Sequence, residues 1–505
     1  MHLSRSLRTA VAVTLAAAAA LPLAAATHAD ASSKSATAQT AAATKRPKSL
    51  VIGIDGATFA KFSKARMPNV KSLMTGGMTA TSNLYASPMA PTYSGPGWST
   101  IATGTWPDKH KVVDNSFNGA RFDLHPDYVT RLETADSSLN TLVVGTWSAI
   151  PTTVFGSATD LRLGGVSDTD TTTTAVAKLS STDADATFVH LDNVDEAGHA
   201  HGTDSTEYLN ALKAADARVG QIIQAVKSRT SYANEDWQII ITADHGHTPS
   251  GGHGGNTPAE RQTFVIAKGT GFTPGSVRYD VKITDIAPTV LSHFGIANDP
   301  TWQLDGKPIK TLVPDAFDAL RPSLQTAIDE TGLPSTLKGW RTTTPAGWSI
   351  DNSAMPAGGV TEWRGWSFAT DEFWTSTDLG QSRETNVRAR NVFAVADSDE
   401  WDDNAHGDGQ FDSTLISPAF PVIGGAQATV SYATNYKTDG PQTGDVYISF
   451  DDGTPQLLTS YREDLNTVER LTVDVPAGST SARLRFHYTG TNSAFWTVDQ
   501  LAVTR

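Results

Sequence analysis

Five short apolar runs, each closing on or beside a turn-forming or cation-binding residue, constrain this 505-residue chain more than any other feature. They are SLVIGID from Ser49 to Asp55, TLVVGTW from Thr141 to Trp147, ATFVHLD from Ala186 to Asp192, WQIIITAD from Trp237 to Asp244, and TFVIAKG from Thr263 to Gly269. Runs this short, rich in Val and Ile and bounded by Gly or Asp, read as strands buried on both faces. Between them, Leu209, Leu212, Ala215, Val219 and Ile222 recur at helical spacing within Ser205 to Val226, and Ile283 to Phe294 reads as a second helix. Strands alternating with helices predict an α/β domain, with a mostly parallel central sheet and helices on both faces. In such a sheet, ligands gather where the strands end.

After Pro314 the pattern changes. A helix is expected from Asp315 to Thr331. Short alternating segments then follow, among them QATVSYATNY, DVYISF, RLTVDV and ARLRFHY, separated by turn residues. They predict a C-terminal all-β sandwich. FDSTLISPAF and FWTVDQLAV resemble the jelly-roll modules appended to secreted bacterial hydrolases. Seven of the 12 tryptophans lie at or after Trp340. Trp363, Trp366 and Trp374 are read as core, with a carbohydrate-binding platform as the alternative. The acidic run from Asp397 to Asp412 is read as a solvated loop, with calcium chelation through Asp399, Asp402 or Asp408 as the alternative. The expected organisation is a catalytic domain over residues 49–335 and a sandwich over residues 340–505.

At the other end, Arg5 and Arg8, the Ala- and Leu-rich run from Thr9 to Ala26, and Ala29-Asp30-Ala31 predict a cleaved secretory signal over residues 1–31. Residues 32–48, dominated by Ser, Thr, Ala and Lys, read as a disordered leader. The chain is expected to be secreted, with no membrane attachment after cleavage. Its formal charge of -14 excludes a nucleic-acid-coating protein, which needs a basic surface. The absence of cysteine excludes thiolate metal sites, disulfides and cysteine nucleophiles. Metal ligands must then be His, Asp, Glu or hydroxyl groups.

Four segments at or near strand ends supply those groups. Asp55 closes the first strand. In LDNVDEAGHAHG, Asp195 and His199 are four apart, so a helical turn would point both toward one ion; His201 is read as outer or exposed. In ITADHGHTPSGGHGG, Asp244 and His245 follow a strand, and glycines let His253 swing back. Six of the 13 histidines fall between His190 and His253. In PTYSGPGWSTIATGTWPDKH, Ser94 precedes a helix-compatible stretch, where backbone N–H groups favour an anion. Thr92, Ser99 and Thr100 compete with Ser94 for a nucleophile's role. No His or Asp lies close to Ser94 in sequence, so metal activation is the economical account.

The ordered motifs IDG, PTYSGPGWSTIATGTWP, HKVVDN, DEAGH, DHGH and GGHGG, between about Ser49 and Leu312, resemble the type I phosphodiesterase and nucleotide pyrophosphatase branch of the alkaline phosphatase superfamily. ITDIAPTVLSHFGI and LDGKPI are similar to that family's later elements. The resemblance implies an alkaline-phosphatase-like fold. It also implies one ion held by Asp195, His199 and His253, and a second held by Asp55, Asp244, His245 and the Ser94 hydroxyl. The ions would be two divalent cations, zinc in most of the family and manganese in some bacterial relatives. Ser94 would be the nucleophile, where many members carry Thr. Gly97 stands where the family has a phosphate-binding Asn, and Asn115 of the DN pair would line the substrate site.

The implied activity is hydrolysis of a phosphate diester or pyrophosphate bond through a covalent serine intermediate, on a small phosphate ester or nucleotide. A phosphomonoesterase is the alternative enzyme, and a surface or polysaccharide-binding protein with a spent hydrolase domain is the alternative of another class. The stretch Ser94-Gly95-Pro96-Gly97-Trp98 also resembles the start of a sulfatase activation motif, but Trp98 stands where that family has Arg.

Overall fold

A computed structural model describes residues 45–85, 89–181 and 183–505, of which Lys45–Arg505 form one compact unit. The expected signal, 1–31, and the leader up to Thr44 lie outside the described residues. Eight strands make the first sheet: β1 Arg46–Ile54, β2 Met78–Asn83, β3 Thr141–Gly145, β4 Leu161–Gly164, β5 Ala186–Leu191, β6 Glu235–Thr242, β7 Gln262–Lys268 and β8 Ser276–Arg278. Their order is β4-β3-β5-β1-β6-β7-β2-β8. Only β7 breaks the parallel arrangement, running antiparallel to both β6 and β2.

The period-2 geometry of a strand explains why these runs are apolar throughout: alternate residues feed two different cores. Leu50, Ile52 and Ile54 face one layer, against Leu212, Val219 and Ile222 of the helix Thr206–Lys227. Val51, Phe188 and Ile240 face the other, against Trp98 and Ile101 of the helix Ser94–Thr103 and Ile286 and Val290 of the helix Ile286–His293. Ser205 caps the longest helix by accepting the Tyr208 N–H, as an N-terminal Ser should.

Three differences from the sequence reading have local causes. Strand β1 begins at Arg46, inside the expected leader, because Lys48 is fully buried and its ammonium pairs with Asp185 at 2.9 Å and Asp183 at 2.7 Å. The short strands β2, β4 and β8 lacked a long apolar run. The helix expected from Asp315 to Thr331 is only a 3-10 segment, Asp318–Ser323, with Pro322 inside it; proline removes the N–H that a longer helix would use.

The later strands form two antiparallel six-stranded sheets, including the long pairs Gln427–Tyr436 with Leu465–Asp474 and Gln442–Phe450 with Ser481–Gly490. The chain therefore joins a mixed, mostly parallel sheet layered by helices to C-terminal all-β sheets. Trp363, Trp366 and Trp374 are at most 1% exposed, so they are core and cannot form a carbohydrate platform. Asp402 is paired with His406, Asp399 lies in the first turn of the short helix Ser398–Asp402, and Asp408 is exposed. None of the three belongs to a group of ligand-type side chains among the described residues.

The sandwich is joined to the first sheet's layer by buried ion pairs. Arg390 donates to both oxygens of Asp285, at 2.6 and 2.8 Å, and Arg388 donates to Asp305 at 3.0 Å and to both oxygens of Asp108. Asp285 also accepts the backbone N–H groups of Lys282 and Lys307. Removing one partner of such a pair leaves an uncompensated buried charge, so Arg390→Leu should cost about 3–5 kcal/mol in denaturant unfolding of the full chain.

Candidate metal centre

The C-terminal ends of β1, β5 and β6 lie side by side, which brings together residues 140 to 190 positions apart in sequence. Asp55 follows β1 directly, Asp244 and His245 follow β6, and the helix Asn193–His201 after β5 carries Asp195 and His199 on one face. His253 reaches back from the loop after β6: its Nδ1 donates to the Thr92 carbonyl at 2.8 Å. Ser94 is the first residue of its helix, with Tyr93 as N-cap.

The ligand atoms fall into two groups. His199 Nε2 is 2.9 Å from His253 Nε2 and 3.4 Å from Asp195 Oδ2, while His253 Nε2 is 3.4 Å from Asp195 Oδ1. Around His245 Nε2 lie Ser94 Oγ at 3.2 Å, Asp244 Oδ2 at 3.3 Å and Asp55 Oδ1 at 3.4 Å. Ligands bound about 2.0–2.1 Å from one tetrahedral zinc are separated by about 3.3 Å, the edge of that tetrahedron. The second group matches that spacing throughout; in the first, the contacts to Asp195 match it while the His199 and His253 Nε2 atoms lie closer, at 2.9 Å. The imidazoles of His245 and His253 stack at 3.7 Å, so the groups are neighbours.

Tautomers agree with this reading. His245 Nδ1 donates to the Gly246 carbonyl at 3.0 Å, and His253 Nδ1 is committed to Thr92, so in each the Nε2 lone pair faces the centre. Burial, and then the neighbouring His253, hold His245 well below the usual imidazole range; burial likewise lowers His253. Both are therefore neutral, the form that ligates. Asp55 and Asp244 are pushed well above the carboxylate range, chiefly by burial and then by a neighbouring carboxylate, Asp195 for Asp55 and Asp55 for Asp244. Asp55 Oδ1 and Asp244 Oδ2 are buried with no hydrogen-bond partner. Buried carboxylate oxygens without donors fit a cation.

His247 enters the same cluster: Asp195, His245, His247 and His253 place ligand atoms within 4.8 Å of one another. Its Nε2 is 2.7 Å from Asp195 Oδ1, a hydrogen-bond length rather than a ligand edge, so it acts as a donor that steadies Asp195. Against the cost of burial, that hydrogen bond keeps Asp195 below its ordinary range. Nothing in the spacing of DHGH separates His247 from His245 as a ligand; only the folded geometry does. His201 is exposed.

Two of the three competing hydroxyls are engaged elsewhere. Thr92 Oγ1 donates to Gly255 O, Thr100 Oγ1 donates to Pro96 O, and Ser99 is buried with its Oγ unpartnered. Ser94 does have a nitrogen base beside it in space, His245, although none is near in sequence. Asn115 is exposed and its Oδ1 accepts the Gly95 N–H at 2.7 Å, which places its amide beside the nucleophile's helix. Gly97, which stands where the resemblance places a phosphate-binding Asn, has a packing role in the fold. Its N–H is used on Tyr93 O, and a Cβ there would lie 2.7 Å from Asp244 O and 2.8 Å from Asp244 Cβ. It is the point where the Ser94 helix presses on the metal-side strand end, and it offers nothing to a ligand.

A family model described as type I phosphodiesterase / nucleotide pyrophosphatase matches residues 49–158 and 123–260. GPI ethanolamine phosphate transferase 1 of Chaetomium globosum is 38% identical over 162 residues, 28% of this chain and 17% of that protein. The Mus musculus protein of that name is 32% identical over 131 residues, 22% of this chain and 14% of that one. The chain thus spans less than a fifth of the length of these relatives. Among solved structures, inactive murine ectonucleotide pyrophosphatase / phosphodiesterase 5 in complex with AMP has a TM-score of 0.40 at 15% identity, covering 50% of this chain and 96% of that one. A putative sulfatase from Bacteroides thetaiotaomicron has a TM-score of 0.43 at 13% identity, covering 64% and 80%.

The close approach at Gly97 gives a direct check on this packing. Gly97→Ala should destabilise the chain by about 1–3 kcal/mol through overpacking and weaken divalent-ion binding, as read by thermal unfolding with and without zinc. Gly164→Ala, where a Cβ would meet nothing within 4 Å, should be neutral in both.

Proposed function

We propose that this chain, which carries a type I phosphodiesterase and nucleotide pyrophosphatase region and that family's enzyme fold, is a secreted two-metal phosphodiesterase acting on small phosphate diesters or nucleotide pyrophosphates. One observation carries the reading: the unpartnered oxygens Asp55 Oδ1 and Asp244 Oδ2, together with Ser94 Oγ, each lie 3.2–3.4 Å from His245 Nε2, beside a second group of ligand-type side chains.

Two divalent ions, zinc or manganese, would supply positive charge at Ser94 Oγ and at the phosphoryl oxygens. The chain's own groups do the rest. His245 Nε2, which also lies beside Asp55 Oδ1 and Asp244 Oδ2, holds Ser94 Oγ at 3.2 Å. The helix that begins at Ser94 directs its N-terminal dipole toward an incoming anion, and the Asn115 amide borders that end. Ser94 Oγ would form a bond to phosphorus while the bond to the leaving oxygen, in line on the far side, breaks. The product alcohol or phosphate carries away that oxygen and takes up the Ser94 proton, leaving a phosphoryl-Ser94 that keeps the substrate's other ester group, a nucleotidyl-Ser94 where the substrate is a nucleotide. Water would then attack the same phosphorus, releasing the acid and restoring the Ser94 hydroxyl. Local cations also reconcile an anionic substrate with a chain of net charge -14.

Transfer to an alcohol is a second reading, favoured by the sequence similarity to proteins named ethanolamine phosphate transferases. It needs the same phosphoryl-Ser94, with an alcohol in place of water. Turnover of an aryl phosphodiester, an aryl phosphate monoester and a dinucleoside pyrophosphate on one preparation, with and without glycerol, separates the readings by product. Ser94→Ala or chelation should reduce diester turnover by at least about a thousandfold, since an activated nucleophile and its ions act as one unit. Turnover that survives both would sink the proposal, and a monoester preference would reassign the chain as a phosphomonoesterase.

A further inference from the structure

We infer that Trp98 and His190 are positioning residues for Asp55, holding one carboxylate oxygen so that the other is presented to the ion shared with Asp244 and His245. The inference rests on the reading of Asp55 as a metal ligand and adds two residues to it.

Trp98 Nε1 donates to Asp55 Oδ2 at 2.9 Å, and His190 Nε2 approaches the same oxygen at 2.9 Å. All three side chains are at most 2% exposed. A carboxylate oxygen accepts about two good hydrogen bonds, so Oδ2 is saturated and Oδ1 alone remains for a cation. The histidine's proton can be assigned: its Nδ1 accepts the Trp147 N–H at 3.4 Å, which leaves the hydrogen on Nε2, toward Asp55. This is the reverse of His245 and His253, whose Nδ1 atoms donate to carbonyls and whose Nε2 atoms are bare. The same ring type is used in two tautomers, one as ligand and one as prop.

The sequence prepares the space for this arrangement. A Cβ on Gly53, near the end of β1, would lie 2.3 Å from the Trp98 ring, so glycine is what lets the indole reach under the strand end. The indole meets His190 edge-on at 5.0 Å, fixing both rings. Trp98 is four residues after Ser94 on one helix, so the tryptophan that orients Asp55 shares a rigid element with the nucleophile. A displacement of that helix would move Ser94 and Asp55 together, preserving their relation.

Asp55, His190 and Asp192 also bring ligand atoms within 4.8 Å of one another, which raises a third cation as the rival. The rival needs a bare His190 Nε2 and a free Asp55 oxygen on that side. The hydrogen bonds supply neither.

The test uses the metal-depleted full chain, zinc titrated in competition with a chromophoric chelator, the visible spectrum of the cobalt-substituted protein, and apo-protein unfolding as a folding control. Wild type should bind two equivalents of zinc. Trp98→Phe and His190→Leu should each weaken one equivalent by about ten- to a hundredfold, leave the other unchanged and alter the cobalt spectrum. His190→Gln, which keeps an N–H donor at a similar reach, should restore most of the lost affinity. Should Trp98→Phe fail to fold, the two His190 variants decide the matter. Unchanged affinities in folded variants overturn the positioning role alone. A third equivalent that disappears in His190→Leu makes His190 a ligand and overturns it as well. Wild type that binds no zinc overturns the functional reading itself.

Discussion

Two carboxylates buried side by side at the end of a parallel sheet are the constraint on which the rest of this structure turns. Asp55 and Asp244 are at most 1% exposed and follow adjacent strands, β1 and β6. Each carries an oxygen with no donor beside it. An isolated buried carboxylate costs several kcal/mol, which the protein must offset by protonation or by a positive charge. The side-chain nitrogen facing both of those oxygens is the His245 imidazole, which burial holds neutral. A divalent ion is the compensation that would leave both carboxylates ionised, and the Ser94 hydroxyl lies beside the same His245 Nε2. Ion binding is therefore also stabilising for the fold.

How much of this was legible in the sequence depends on which physical signal each residue leaves. The five central strands were legible because burial on both faces forces unbroken apolar runs. The clustering of Asp55, Asp195, His199, Asp244, His245 and His253 was legible because ligand-type side chains at strand ends and at one helical spacing are brought together by a parallel sheet. The short strands β2, β4 and β8 were not, since three to six residues such as SVR or LRLG carry no period that separates them from loop. His247, His190 and Trp98 were seen as residues but not as parts. Their roles lie in which nitrogen holds a hydrogen and which carboxylate oxygen it meets, and only the fold fixes that.

Gly97 shows the opposite failure, a residue noticed for the wrong reason. Read through the resemblance, it marked a missing phosphate contact. In the fold it is the absence of a side chain that matters, because the Ser94 helix must approach Asp244 more closely than any Cβ permits. The same logic applies at Gly53 beneath Trp98. Two glycines thus set how closely the Ser94 helix approaches Asp244 and how closely the Trp98 indole approaches β1, and small residues shape the cluster along with the charged ones.

The acidic excess of the chain acquires a second meaning from the sandwich. Arg388 and Arg390 leave the all-β part and pair with Asp108, Asp305 and Asp285 in the first layer. The second oxygen of Asp305 accepts the Trp106 N–H, just beyond the helix that starts at Ser94. A continuous hydrogen-bonded path therefore runs from the sandwich to the end of the nucleophile's helix. Buried ion pairs of this kind add little net stability over an apolar interface, but they tolerate no slip in register, since each half is costly alone. Acidic residues in this chain thus do two distinct jobs. One set faces imidazoles across ligand-edge distances, and the other is already neutralised by arginines that fix where the Ser94 helix ends.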